Sequence, residues 1–173
     1  MSRYTPLRNA LRAAALLAIN ALPGTALAIQ YTTPPSTAVA VAQDGFEQPS
    51  LPAGQSQVGA IAGANWQFMK VGLDKSGLVS NGSPYNNLAA PEGQQVGLVQ
   101  RNGTASWTFS VPTTERYRLS MDAAQRLTNM QRATVSIDGT PIGELAPRDT
   151  TFRTAVFDAL SLSAGSHTLT LSG

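Results

Sequence analysis

The sequence predicts an all-β protein, an antiparallel β-sandwich or jelly roll, and three observations point there. First, apolar and polar residues alternate over long stretches. Trp107, Phe109 and Val111 interleave with Ser106, Thr108 and Ser110, and Tyr117, Leu119 and Met121 interleave with Arg118, Ser120 and Asp122. Successive side chains of a strand point to opposite faces, so this spelling describes sheets with one buried and one wet face. Second, turn formers recur at short intervals, at Asn102-Gly103, Pro112-Thr113-Thr114, Asp138-Gly139 and Ala164-Gly165. Asp-Gly between two apolar alternations is the firmest hairpin signal in the chain. Third, no segment of the body of the chain carries the 3.6-residue apolar period of an ordinary amphipathic helix.

The elements follow in order. Residues 1–28 read as a cleaved N-terminal signal helix. Arg3, Arg8 and Arg12 precede the apolar run Ala13–Leu22, Pro23-Gly24 break it, and Ala26-Leu27-Ala28 fits the small-x-small rule for cleavage after Ala28. The apolar run is well short of the roughly 20 residues that span a bilayer, so no membrane span is expected after cleavage. Residues 29–43 are an extended linker around Thr-Thr-Pro-Pro-Ser-Thr, with Ala38–Ala42 as an alternative edge strand. From residue 44 to 173 the composition is that of a domain. Residues 49–64 read as loops and short strands, Trp66 and Phe68 as an aromatic strand face, and residues 72–94 as a long loop region. Strands are then predicted over 95–100, 105–111, 116–123, 132–138, 141–145, 152–157 and 166–171. Asn81-Gly82-Ser83 and Asn102-Gly103-Thr104 match the glycosylation pattern and are read as turns.

Charge and composition exclude several function classes. Removing residues 1–28 removes three of the twelve basic residues and none of the ten acidic ones, which leaves 145 residues with a net charge of −1. No Lys/Arg cluster remains to follow a phosphate backbone, so nucleic acid is not an expected partner. There is no cysteine, which excludes disulfides and thiolate metal sites. Secretion to the periplasm, cell surface or medium follows from the signal. A chain of this length buries one core.

Taken together, Asp44-Gly45-Phe46-Glu47-Gln48-Pro49, Trp66-Gln67-Phe68, Ala90-Pro91-Glu92-Gly93, Asp122-Ala123-Ala124-Gln125-Arg126, Val135-Ser136-Ile137-Asp138-Gly139 and Ala164-Gly165-Ser166-His167-Thr168-Leu169 give the chain a family likeness. It resembles secreted bacterial domains of the galactose-binding-like β-sandwich group, over residues 44–173. The resemblance implies a jelly roll of the carbohydrate-binding-module kind, which attaches larger secreted proteins to glycans. It also implies one more strand after His167-Thr168-Leu169, carrying an Asp-Asn-Val-like segment and returning beside the first strand. Because the sequence stops at Gly173, a fragment or a domain completed from elsewhere is expected.

Candidate chemistry lies at a few positions. Asp44 and Glu47 flank Phe46 and offer hard oxygen ligands for a structural Ca²⁺, the ion that the resemblance implies between first and last strand regions; alternatively they mark an ordinary polar strand start. Trp66, Tyr85, Asn86 and Asn87 are candidates for sugar binding, since sugars stack apolar C–H faces on aromatic rings and need amides for their hydroxyls. Trp66 also fits a core position. Gln125 and Arg126 can fork hydrogen bonds onto hydroxyls or a carboxylate, or can fix a loop. The one histidine, His167, alternates with Leu169 and Leu171, so it is expected to face inward with them. No Ser-His-Asp grouping, GxSxG, HExxH or P-loop is present. Ten acidic residues leave a two-carboxylate glycosidase open.

Three functions follow as expectations. The first is a non-catalytic module that binds carbohydrate or a surface polymer. The second is a structural or adhesive subunit completed by a strand from a partner chain or by self-assembly. The third is a fragment of a larger secreted protein, including a glycosidase.

Overall fold

The computed structural model describes residues 40–85, 89–127 and 131–173, and these form ten β-strands and no helix. The signal segment, the linker up to residue 39, Asn86 and Asn87 lie outside the described residues. Residues 40–42, the end of the alternative edge segment, are not in a strand.

The strands are β1 (Ser56–Val58), β2 (Trp66–Met69), β3 (Ser76–Ser80), β4 (Gln95–Val99), β5 (Thr104–Val111), β6 (Glu115–Ala123), β7 (Ala133–Ile137), β8 (Thr140–Leu145), β9 (Arg153–Leu162) and β10 (Gly165–Ser172). One layer of the sandwich is a continuous five-stranded sheet in the order β2-β5-β10-β7-β8. The other layer is split into a three-stranded sheet, β1-β3-β4, and a two-stranded sheet, β6-β9. All the strand pairings are antiparallel.

The register explains why alternation in the sequence becomes a core. Leu169 of β10 pairs with Trp107 on one side and Ile137 on the other, and Leu171 pairs with Ala105 and Val135. Directly paired residues share a face, so these six side chains form one apolar surface. Tyr117, Leu119 and Met121 of β6, with Ala155 and Phe157 of β9, belong to the same buried cluster. Leu78 of β3 does so from the other half of the split layer.

The β7–β8 hairpin turns at Asp138-Gly139 with φ of 50° and 77°. Left-handed geometry at both central residues is the type I′ requirement, which Asp and Gly tolerate. Asn102 and Gly82 also take positive φ, at 59° and 80°, so both Asn-Gly pairs lie in turns.

One strand falls where the sequence reads as loop. β3 lies inside residues 72–94, and each of its five residues is buried. Its two serines are satisfied internally: Ser76 Oγ donates to Thr104 O at 2.6 Å and Ser80 Oγ donates to Pro52 O at 2.7 Å. Gly77 pairs with Val58 of β1, where an added Cβ would collide with the β1 backbone.

Candidate binding groove

Splitting the second layer leaves β4 and β6 without a bond to each other, and a groove of about 170 Å³ opens between them. Val96 to Gln100 line one wall and Met121 to Arg126 the other. Phe46 and Leu171 reach it from the interior, so it runs down to core side chains.

The β4 edge presents free backbone groups to this groove. The β3–β4 ladder is bracketed by Asn81 N–H donating to Gln94 O and Gln100 N–H donating to Lys75 O, both at 2.8 Å. In an antiparallel pair the bonded residues alternate. Residues 96 and 98 therefore bond to β3, whereas the N–H and C=O of 95, 97 and 99 point the other way. The Gln95 N–H is taken by the Glu47 carboxylate at 3.3 Å. Gly97 and Val99 have no backbone partner on that side among the described residues. Gly97 is held without a side chain because the Phe46 ring lies against it.

The lip carries cations around one aromatic ring. Tyr85 receives a hydrogen bond on its hydroxyl from Lys75 Nζ, whose ammonium lies 4.3 Å from the ring centroid. The Arg126 guanidinium lies 5.0 Å from the same centroid, and its Nη2 donates to Pro84 O at 3.1 Å. The Lys75 bond, and then its charge, hold the Tyr85 hydroxyl below the usual phenol range. Arg126 Nε is buried and has no acceptor among the described residues. On the β6 wall, burial pushes Asp122 up to about 7, against a hydrogen bond from Thr154 Oγ1 at 3.0 Å and with help from the Glu92 charge.

The residues singled out in the sequence separate into three groups. Tyr85, Gln125 and Arg126 come together at the groove. Gln125 is buried there, with its backbone N–H donating to Asp149 O at 2.9 Å and its Nε2 donating to Pro147 O at 2.5 Å, so it ties down a loop. Trp66 lies elsewhere, in the core. It is 2 % exposed, its ring packs 4.6 Å from Phe46 and 5.8 Å from Trp107, and its indole N–H donates to Asp44 Oδ1 at 3.0 Å. It offers no face to a sugar.

Asp44 and Glu47 serve two different segments. Asp44 accepts from Phe46 N–H, Trp66 Nε1 and Asn65 Nδ2, at 2.6 to 3.0 Å. Glu47 accepts from the N–H groups of Gln94 and Gln95. Among the described residues no group of three acidic or imidazole side chains is placed to hold a metal. These carboxylates act as backbone and indole acceptors, and the donor set does not fit a calcium ion.

Sequence reasoning missed Lys75, Asp122 and the β4 edge as parts of one place. Their sole sequence signal is the polar end of each flanking strand. His167 faces inward as expected and is buried. Its Nδ1 lies 2.6 Å from Asp138 Oδ2 and its Nε2 lies 2.8 Å from Ser163 O. A carboxylate and a carbonyl only accept, so both ring nitrogens carry protons. Below its raised pKa, His167 is thus a charged strut between the Asp138 turn and Ser163.

Comparisons with family models, curated proteins and solved structures returned no match to this chain.

Proposed function

We propose that this chain is an exported, non-enzymatic β-sandwich module whose work is binding, and that its site is the groove between β4 and β6, which accepts an extended polypeptide strand. One observation carries the reading. The outward N–H and C=O groups of Gly97 and Val99 face a trough floored by core side chains. An exposed strand edge is a template for strand addition, in which main-chain bonds supply affinity and pockets select alternate side chains. An inserted strand would join β1-β3-β4 to β6-β9 and make the second layer continuous.

The test uses fluorescein-labelled twelve-residue peptides with valine at alternate positions and threonine or serine between. Fluorescence anisotropy with the purified chain should show saturable binding, competed by the unlabelled peptide. A peptide N-methylated at alternate amides should not bind. Val99→Pro should lose binding while keeping the fold, because the Val99 N–H is outside the β3 ladder. Equal binding of methylated and unmethylated peptides would remove the strand-addition reading.

A second reading keeps carbohydrate as the ligand, favoured by the half-buried Tyr85 at the lip beside two cations. It expects retarded migration in polysaccharide gels, lost on Tyr85→Ala.

A further inference from the structure

Resting on the strand-accepting reading above, we infer that the strand the groove takes carries an Asp or Glu at the position that lands against Arg126, and so comes from a partner polypeptide with an acidic residue in an otherwise alternating apolar segment.

The observation behind this is a half-buried cation whose buried Nε has no acceptor among the described residues. Arg126 lines the groove, spends Nη2 on Pro84 O and stacks over Tyr85, while its buried Nε has no acceptor. A buried donor without a partner is costly, and more so when it is charged. A guanidinium is a rigid fork that matches a carboxylate better than any neutral acceptor. Lys75, bonded to the Tyr85 hydroxyl, adds a second positive charge beside the same ring. Arg132, also at the groove, already pairs with Glu144 at 2.9 Å, so the demand for an anion is local to the Tyr85 end.

Charge complementarity also discriminates among donors. The chain's own segment from Ile29 to Gln43 has the small alternating residues of a strand but no acidic residue. Inserted from a second copy, it would leave Arg126 Nε as it is. A partner strand with one carboxylate satisfies both the open β4 edge and the guanidinium.

The experiment compares two labelled twelve-residue peptides with the same alternating valine frame, identical except for one Glu or Gln, titrated into the purified chain by anisotropy. The Glu peptide should bind about tenfold more tightly, the scale of one charge-assisted hydrogen bond. Raising the salt concentration should narrow that gap. Arg126→Gln, checked for an unchanged melting temperature, should erase the gap by weakening binding of the Glu peptide more than that of the Gln peptide. Equal affinity of the two peptides for the unaltered chain would overturn the acidic-partner inference while the strand-accepting reading stood. Failure of both peptides to bind would overturn the strand-accepting reading itself. Binding of polygalacturonate, dependent on Arg126 and uncompeted by the Glu peptide, would transfer the site to an acidic glycan.

Discussion

His167 and Asp138 form a buried charged contact whose pH dependence can be worked out from the geometry. Nδ1–H donates to Asp138 at 2.6 Å and Nε2–H donates to Ser163 O at 2.8 Å. The ring is 7 % exposed and the Asp138 side chain 51 % exposed. The Ser163 carbonyl, and then the Asp138 hydrogen bond, raise the His167 pKa above 6.5. Burial pushes Asp138 up, but the bonds from His167 and the Thr168 N–H, with the imidazolium charge, bring it below 3.8. A raised histidine pKa contributes stability that is complete below the unfolded value and is lost as pH rises through the folded one. A lowered aspartate pKa contributes stability that is present above its unfolded value and is lost as pH falls through the folded one. The contact is therefore at full strength between about pH 4 and pH 6.5.

Asp138→Asn tests this cleanly. Asn tolerates the left-handed turn conformation that Asp138 holds at φ 50°, and its amide carbonyl still accepts the Thr168 N–H. A charge-assisted bond contributes about 1.5–3 kcal/mol, and the half-exposed partner reduces that to about 1–2 kcal/mol. In a domain of this size that is a fall of about 3–6 °C in Tm at pH 5.5. At pH 8.5 the variant and the parent should differ by less, since the parent has lost part of its contribution. The ring should titrate above 6.5 by NMR in the parent and shift downward in the variant. A parent ring titrating at or below 6.5 would refute the double-donor assignment.

Three further outcomes are expected. Trp66→Ala should cost about 3–5 kcal/mol by urea unfolding, because it empties a site packed by Phe46 and Trp107 and removes a donor to Asp44. Gln95→Leu should cost about 2–4 kcal/mol by the same measurement, since the Gln95 side chain bonds Phe46 O, Pro49 O and the Leu51 N–H. Asp122→Asn should stabilise the protein more at pH 8 than at pH 4: a raised carboxyl pKa imposes a cost that is absent below 3.8 and grows until about 7. A melting-temperature difference between the two forms that does not change with pH would contradict that last assignment.

The strands that alternate cleanly were readable from residue types alone, because one of their faces is wet. β5, β6, β7 and β10 fall within a residue or two of their expected bounds. β3 was not readable, because Ser76, Gly77 and Ser80 look like turn residues while their hydroxyls and backbone are satisfied inside the sandwich. Trp66 shows a different limit. An aromatic at a strand position fits a core or a sugar platform equally well, and the choice is made by an aspartate 22 residues away that accepts its N–H. Single residues of the groove, such as Tyr85 and Arg126, were legible, but their meeting between β4 and β6 was not. The groove exists because two strands some twenty residues apart do not pair, and sheet order is decided by the whole fold.

The edges of the sheets differ in a way that bears on function. β1 has only three residues, and β8 carries Pro141 beside a register irregularity, so both are poor templates for another strand. The β6–β9 pair is bulged between Tyr117 and Leu119. β4 lacks every one of these devices along Gly97-Leu98-Val99: it has no proline, no charge and no bulge in its ladder to β3. Among the described residues its one guard is Glu47, which occupies the N–H of Gln95 at one end. Along Gly97 and Val99, β4 is thus an edge that lies open over an apolar trough. In the proposed strand addition, Glu47 on the Gln95 N–H would close one end of the open stretch and leave Gly97 and Val99 as the pairing positions.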